Sequence, residues 1–261
     1  MFSIAALDDV YLDFPSPQLA LEHPNGLLAV GGDLSPVRLV EAYRQGIFPW
    51  FGDDEPIMWW SPNPRALITP ESLHISKSMR RFMKNTPYTT TWNRDFRGVI
   101  ESCAAPRTES PGTWITDDMK SAYIQLYDLG IAHSIEVWNS KDQLVAGLYG
   151  ISLGSFFFGE SMFSREPNTS KLALITLIQD LSPHGLSFLD CQMMTKHLKS
   201  LGAFECNRDH FLQYLSQLTM TTTDLEVSND LLQQEAIVRH SVLNIYLEEQ
   251  KNKHVQGKPC T

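Results

Sequence analysis

A chain of 261 residues, 43% hydrophobic and 10% aromatic, can bury a real core as one large or two modest domains. No apolar run nears the ~20 residues of a membrane span, and the start MFSIAALDDVYLDF lacks the basic stretch and small-residue cleavage site of a signal peptide, so a soluble cytosolic protein is expected. Cys103, Cys191, Cys206 and Cys260 show no Cys-x-x-Cys or Cys/His zinc spacing, which speaks against a disulfide framework or a structural metal, and a formal net charge of -9 speaks on average against nucleic acid.

That average hides a reversal. Residues 1–60 hold nine acids (Asp8, Asp9, Asp13, Glu22, Asp33, Glu41, Asp53, Asp54, Glu55) against Arg38 and Arg44. Residues 71–107 hold seven bases (Lys77, Arg80, Arg81, Lys84, Arg94, Arg97, Arg107) against Glu71, Asp95 and Glu101. Screening over ~8–10 Å makes near charges count most, so a local basic face on an acidic protein can still bind phosphates.

Asn25-Gly26 and Gly31-Gly32 mark turns around the apolar run Leu27 to Val30. A helix should start at Ser35, with Pro36 at its first position, and stop at Gly46. The tryptophan clusters Gly46 to Phe51 and Met58 to Arg65, joined by prolines, predict a rigid non-helical platform. It is either an aromatic seam between two domains or a wall on which a base stacks. From Ile75 to Lys84 the apolar positions Ile75, Met79, Phe82 and Met83 fall on one helix face. Lys77, Arg80, Arg81 and Lys84 then form a stripe on the other, either a plain solvated surface or, with no acids at i±4, a phosphate-binding one.

Thr116 should cap a helix with Asp117 and Asp118 at its positive end and Gly130 beyond its last turn. Strands are expected over 132–138, 143–149 and 155–160, with a turn at 139–142. A helix capped by Thr169 or Ser170 through Asp180, a strand over 187–190, and helices near 193–201 and 208–218 complete a β-meander followed by β-α-β-α. That order predicts an α+β fold with a mixed sheet and helices packed on it. Residues 228–249 suggest an amphipathic helix, and the tail from His254 a loose end.

Within Phe156 to Ser170, Glu160 sits among Phe157, Phe158, Met162 and Phe163. An ionised carboxylate there must be paired, hydrogen-bonded or at a cleft edge. An ion pair with Arg165 is one reading, and an apolar pocket with a few fixed polar groups is the other. Asp190 and Gln192, two apart on the expected strand, should project from one face, where an Asp can relay a proton and a Gln can orient an amine or carbonyl. A Cys191/His197 nucleophile can be imagined, but Cys191 should alternate away into the core. No Gly-x-Gly-x-x-Gly, Walker loop, His-Glu-x-x-His or Gly-x-Ser-x-Gly is present, which leaves nucleotide-dependent, zinc-protease and serine-hydrolase readings without support.

Several blocks carry a family resemblance: Phe14-Pro15-Ser16-Pro17, Pro24 to Ala29, Gly31 to Pro36, Gly46 to Phe51, Trp59 to Pro62 and Glu71 to Ser76. Gly112 to Thr116, His133 to Trp138, Gly159 to Arg165, Asp190-Cys191-Gln192 and Ser200 to Ala203 continue it in order. Together these resemble the bacterial leucyl/phenylalanyl-tRNA–protein transferases. The resemblance implies transfer of leucine or phenylalanine, and less well methionine, from aminoacyl-tRNA to acceptor proteins with N-terminal Arg or Lys. The product is an N-degron for proteolysis. A small N-terminal α/β domain (1–63), a larger GNAT-like domain (64–221) and a C-terminal extension (222–261), helical and then loose, are expected. The acyl-CoA pyrophosphate loop of GNAT enzymes is missing, so the acyl donor should not be CoA; no cofactor or metal, no membrane and a monomer are expected.

By position, the resemblance makes Trp50 and Trp114 the stacking surface for the terminal adenosine. It makes Leu148, Phe157, Met162, Leu177 and Leu181 the pocket for the apolar side chain. Glu160 would then sit near the incoming amine, and Lys77, Arg80, Arg81 and Lys84 would hold the acceptor stem. Asp190 would accept a hydrogen bond from the attacking amine or relay its proton, with Gln192 orienting the reacting groups in a direct aminolysis.

Overall fold

Short apolar runs broken by Gly and Pro fold as short strands, and the first sixty residues follow that rule. The computed structural model describes residues 4–106, 113–219 and 241–256. In it β1 (Ala5–Leu7), β2 (Leu27–Gly31), β3 (Phe48–Pro49) and β4 (Met58–Trp60) form a small sheet ordered β1-β2-β4-β3. The expected platform of tryptophans is thus a pair of strands. Between β2 and β3 lies α1 (Pro36–Arg44), capped by Ser35, whose side chain accepts from the Arg38 amide.

A larger sheet follows. It contains β5 (Arg65–Ile68), then, after α2 (Lys77–Lys84), β6 (Thr89–Trp92). After α3 (Phe96–Ala104) and α4 (Asp117–Asp128) come β7 (Ala132–Trp138), β8 (Leu144–Leu153) and β9 (Phe156–Ser164). Next are α5 (Thr169–Leu181), β10 (Phe188–Gln192), α6 (Lys196–Ser200), β11 (Phe204–Cys206) and α7 (Arg208–Thr219). The strand order is β11-β5-β10-β9-β8-β7-β6. Only β9 and β10 pair in parallel within it, so the sheet is mixed, as the element order predicts.

Period-two alternation explains the triple phenylalanine. Phe156 and Phe158 enter the core shared with α1, α3, α4 and the small sheet, whereas Phe157 enters the core beneath α5. Both faces of β9 are therefore covered, which is why this strand reads as an unbroken apolar run. Outside α5 packs α8 (Val242–Gln256), where Leu243, Tyr246 and Leu247 at i, i+3 and i+4 join the α5-side core. The helix continues through Gln256, past the point where a loose tail was expected; the expected start near Ser228 lies outside the described residues. Among the described residues no helix is long and apolar enough to cross a membrane.

Candidate active site

Parallel β9 and β10 stay paired only as far as Phe158 and Asp190. Beyond that point β9 continues against β8 alone, so the two strands part. Each carries an extra residue close to the parting. Gly150 and Tyr149 of β8 face Gly159 and Ser161, which leaves Glu160 as the extra residue. Leu67 and Ala66 of β5 face Asp190 and Gln192, which leaves Cys191. Bulges of this kind bend a strand and re-aim its side chains. Gly150 is required opposite the first one, because a Cβ there would collide with the Phe158 carbonyl and the Phe157 ring.

Glu160, on the same side of β9 as Phe156 and Phe158, enters a polar cluster. Tyr123 Oη donates to its Oε2 at 2.8 Å and Gln192 Nε2 donates to its Oε1 at 3.0 Å, while the Tyr43 and Tyr123 hydroxyls lie 2.5 Å apart. The expected ion pair with Arg165 does not form: that guanidinium donates to the Leu144 carbonyl and Ser102 Oγ and lies over the Phe163 ring. Burial raises the Glu160 carboxyl from its ordinary 4.5 to about 7, with hydrogen bonds from the two tyrosines pulling down and the charge of Asp190 pushing up. Burial and the Glu160 charge keep both phenols protonated well above the ordinary range.

Asp190 is fully buried, as is Arg65. Arg65 Nε lies 2.9 and 3.1 Å from the two carboxylate oxygens, and Nη2 lies 2.6 Å from Oδ2. Nη1 donates to the Gly46 carbonyl, and the Phe48 and Phe211 rings pack on the guanidinium. Asp190 Oδ1 also accepts from the Gln192 amide at 2.9 Å. That bond holds Gln192 at φ 61, a conformation costly for a residue with a side chain. Asp190 and Gln192 thus fall on one side of β10, as alternation predicts, but Asp190 is engaged inward and only Gln192 reaches open space.

The open space is a cavity of about 470 Å³ where the strands part. Leu148, Met162, Leu174, Leu189 and Leu198 give it apolar walls, Glu160, Ser161 and Gln192 give it a polar edge, and Trp50 and Trp114 also line it. Trp50 is 40% exposed and edge-on to Trp60, whose indole nitrogen donates to the Trp50 carbonyl. Of the residues expected in the pocket, Phe157, Leu177 and Leu181 pack in the α5-side core and do not line the cavity. They back the wall, and Leu174, which the sequence reading missed, lines it. Tyr43, Tyr123 and Arg65 were missed as well. Cys191 joins that core and also borders the cavity, and burial, with the charge of Asp190, pushes its thiol far up, which disfavours the thiolate.

On α2, Met79 is buried and Ile75, Phe82 and Met83 pack against the α5-side core. Lys77, Arg80, Arg81 and Lys84 are all exposed. Among the described residues none of the four forms an ion pair with a carboxylate. The basic stripe is therefore real as a surface. Arg107 and Gly112 lie outside the described residues.

Glu160 also shapes stability. Between pH 4.5 and about 7 the folded chain keeps a proton that the unfolded chain has lost, so stability falls as pH rises through this window. Buried His133 opposes it: Nε2 donates to the Gly130 carbonyl, Nδ1 accepts from Asn93, and burial lowers the ring from 6.5 to about 4. Its contribution is complete above pH 6.5 and is lost as pH falls toward 4. Each effect amounts to about 3 kcal/mol at ~1.4 kcal/mol per pH unit, so in the wild type they largely cancel. Glu160→Gln leaves the His133 slope, with His197, also lowered by burial, and Glu136, raised by burial, common to both proteins. Urea titrations at pH 6.5, 5.5 and 4.5 should show the variant weakening steadily on acidification where the wild type changes less; parallel curves would contradict the assignment.

The chain matches two family models: "Leucyl/phenylalanyl-tRNA protein transferase" over residues 67–216 and the N-terminal domain of the same family over residues 32–63. Relatives named leucyl/phenylalanyl-tRNA–protein transferase include one from Yersinia enterocolitica, 55% identical over 85% of this chain and 93% of its own length. One from Shigella dysenteriae is 56% identical over 79% of this chain and 87% of its own, and one from Pseudomonas aeruginosa 53% identical over 78% and 90%. With one family model over 67–216, a second over 32–63, and relatives at this identity aligned over most of their own lengths, the chain belongs to the leucyl/phenylalanyl-tRNA protein transferase family.

Proposed function

We propose that the cavity seats the apolar side chain of an amino acid still esterified to tRNA, and that Glu160 and Gln192 prepare the acceptor's α-amino group to attack it. The donor amino acid is Leu or Phe, and less well Met, and the acceptor begins with Arg or Lys. The observation that carries this reading is a carboxylate raised to about 7, hydrogen-bonded to a strained glutamine, at the polar edge of an otherwise apolar cavity. A base poised near neutral pH suits proton transfer from an amine at working pH.

The acceptor arrives as an ammonium ion and gives one proton to Glu160. The free amine attacks the ester carbonyl carbon, a C–N bond forms, the C–O bond to the ribose breaks, and the ribose oxygen leaves with the amine's second proton. No covalent enzyme intermediate is needed, because the ester is already activated and alignment supplies most of the rate; oriented groups reach effective molarities of ~10⁵–10⁸ M. Asp190, held by Arg65, acts through Gln192 by fixing its backbone. Leu148, Met162, Leu174 and Leu198 select by shape, where each methylene is worth only ~1–3 kcal/mol. Trp50 and Trp114 take the terminal adenine, and the α2 stripe takes the acceptor stem.

The test is to incubate the protein with labelled leucyl-tRNA and a peptide beginning with Arg. The peptide should gain one leucine on its α-amino group, and no labelled peptide would defeat the reading. Reversing Arg80 and Arg81 to Glu should weaken tRNA binding at least tenfold at low salt and flatten its salt dependence, each lost phosphate contact removing about 0.7–0.9 from the log–log slope. An unchanged affinity would put the tRNA elsewhere.

A further inference from the structure

Helix α6 lies between the cavity and the segment that leads into α2. The His74 amide, just before α2, donates to the Leu201 carbonyl at the end of α6 at 2.9 Å. Thr195, His197 and Leu198 line the cavity. Lys196 and Lys199, at i and i+3, share a different side and are both exposed. Lys171, in the first turn of α5, is half-buried and stands near His197, whose imidazole is kept neutral by burial and, secondarily, by that lysine's charge. Among the described residues none of these three lysines forms an ion pair, so their charge is available in an otherwise acidic protein.

Resting on the functional reading above, a tRNA whose duplex end lies on α2 and whose terminal adenosine lies in the cavity must lead a short single strand between them. We propose that Lys196, Lys199 and Lys171 form a phosphate track for that 3′-terminal single strand, with α6 as its bed. A single strand carries a phosphate at every nucleotide, and cations spaced along an exposed surface next to the cavity mouth neutralise it without reading sequence. The track adds affinity for the nucleic acid and leaves the chemistry at Glu160 untouched.

The experiment compares two donors, leucyl-tRNA and 3′-O-leucyladenosine, which has no phosphate, on the wild type and on the Lys196→Glu/Lys199→Glu double variant. With leucyl-tRNA the variant's KM should rise at least tenfold at low salt, and its log–log salt slope should become shallower by about 1.4, at ~0.7 per single-strand phosphate. With leucyladenosine the variant should match the wild type. The milder Lys196→Gln/Lys199→Gln pair should show a smaller rise with tRNA and none with leucyladenosine, which keeps the test decisive if the charge reversal unfolds α6. An unchanged KM for leucyl-tRNA, or an equal loss with both donors, would overturn the track. A wild type that uses neither donor would overturn the functional reading itself.

Discussion

Replacing Glu160 by Gln is expected to lower kcat/KM for leucine transfer roughly 10²–10⁴-fold at pH 7, the usual range for loss of a positioned base. The substitution is nearly isosteric, and Gln192 can turn its amide to meet the new group, so the fold should survive. The pH profile separates a lost base from a lost contact. In the wild type kcat/KM should climb with pH to about 7, where Glu160 ionises, and fall again as the acceptor ammonium loses its own proton, through a pKa of about 8. In the variant that inflection should vanish and the rate should follow the free amine alone, through a pKa of about 8. A variant that keeps the inflection near 7, or the full rate, would remove Glu160 from proton transfer.

Replacing Arg65 by Met should cost about 3–5 kcal/mol, because Asp190 would be left charged, buried and without its partner. Removing both charges as Arg65→Met/Asp190→Leu should recover most of that stability, since two apolar side chains would fill the space between Phe48 and Phe211. Activity should not return. The Gln192 amide loses the carboxylate that holds it in its left-handed conformation, and the side chain that reaches Glu160 is no longer fixed. Denaturation midpoints alongside transfer rates check both halves. A single variant losing less than 1 kcal/mol, or a double variant with normal transfer, would contradict this role for the buried pair.

Much of the framework was legible because it rests on local pattern. Strand periodicity located the meander, capping residues located α1 and α4, and the 3.6-residue spacing of Ile75, Met79 and Phe82 set the basic face of α2 outward. The site was less legible because its parts meet across the chain. Arg65 reaches Asp190 over 125 positions and Tyr43 reaches Tyr123 over 80. The one local hint of Arg65 was a lone base opening the apolar run Ala66 to Ile68. Glu160 was expected to pair with Arg165 by nearness in sequence, but it shares the side of β9 taken by Phe156 and Phe158, where Tyr123 meets it. Past the bulge Met162 changes to the α5 side, which alternation cannot foresee, since it assumes an unbroken ladder. Nor does hydrophobicity tell a wall from the layer behind it, which is why Phe157, Leu177 and Leu181 were expected beside Met162 but lie in the core. Strands β1, β5, β6 and β11 escaped notice because each is only three or four residues long, and helix α3, as long as α1, was not read either.

What the cavity holds can be observed without turnover. With methionine methyls labelled for NMR, titration with an adenosine carrying leucine through a 3′-amide should shift the Met162 resonance saturably, because that side chain lines the cavity, and leave Met83 on α2 in place. Saturable binding that moves Met83 and spares Met162, or no binding at all, would contradict the seat proposed for the aminoacyl side chain.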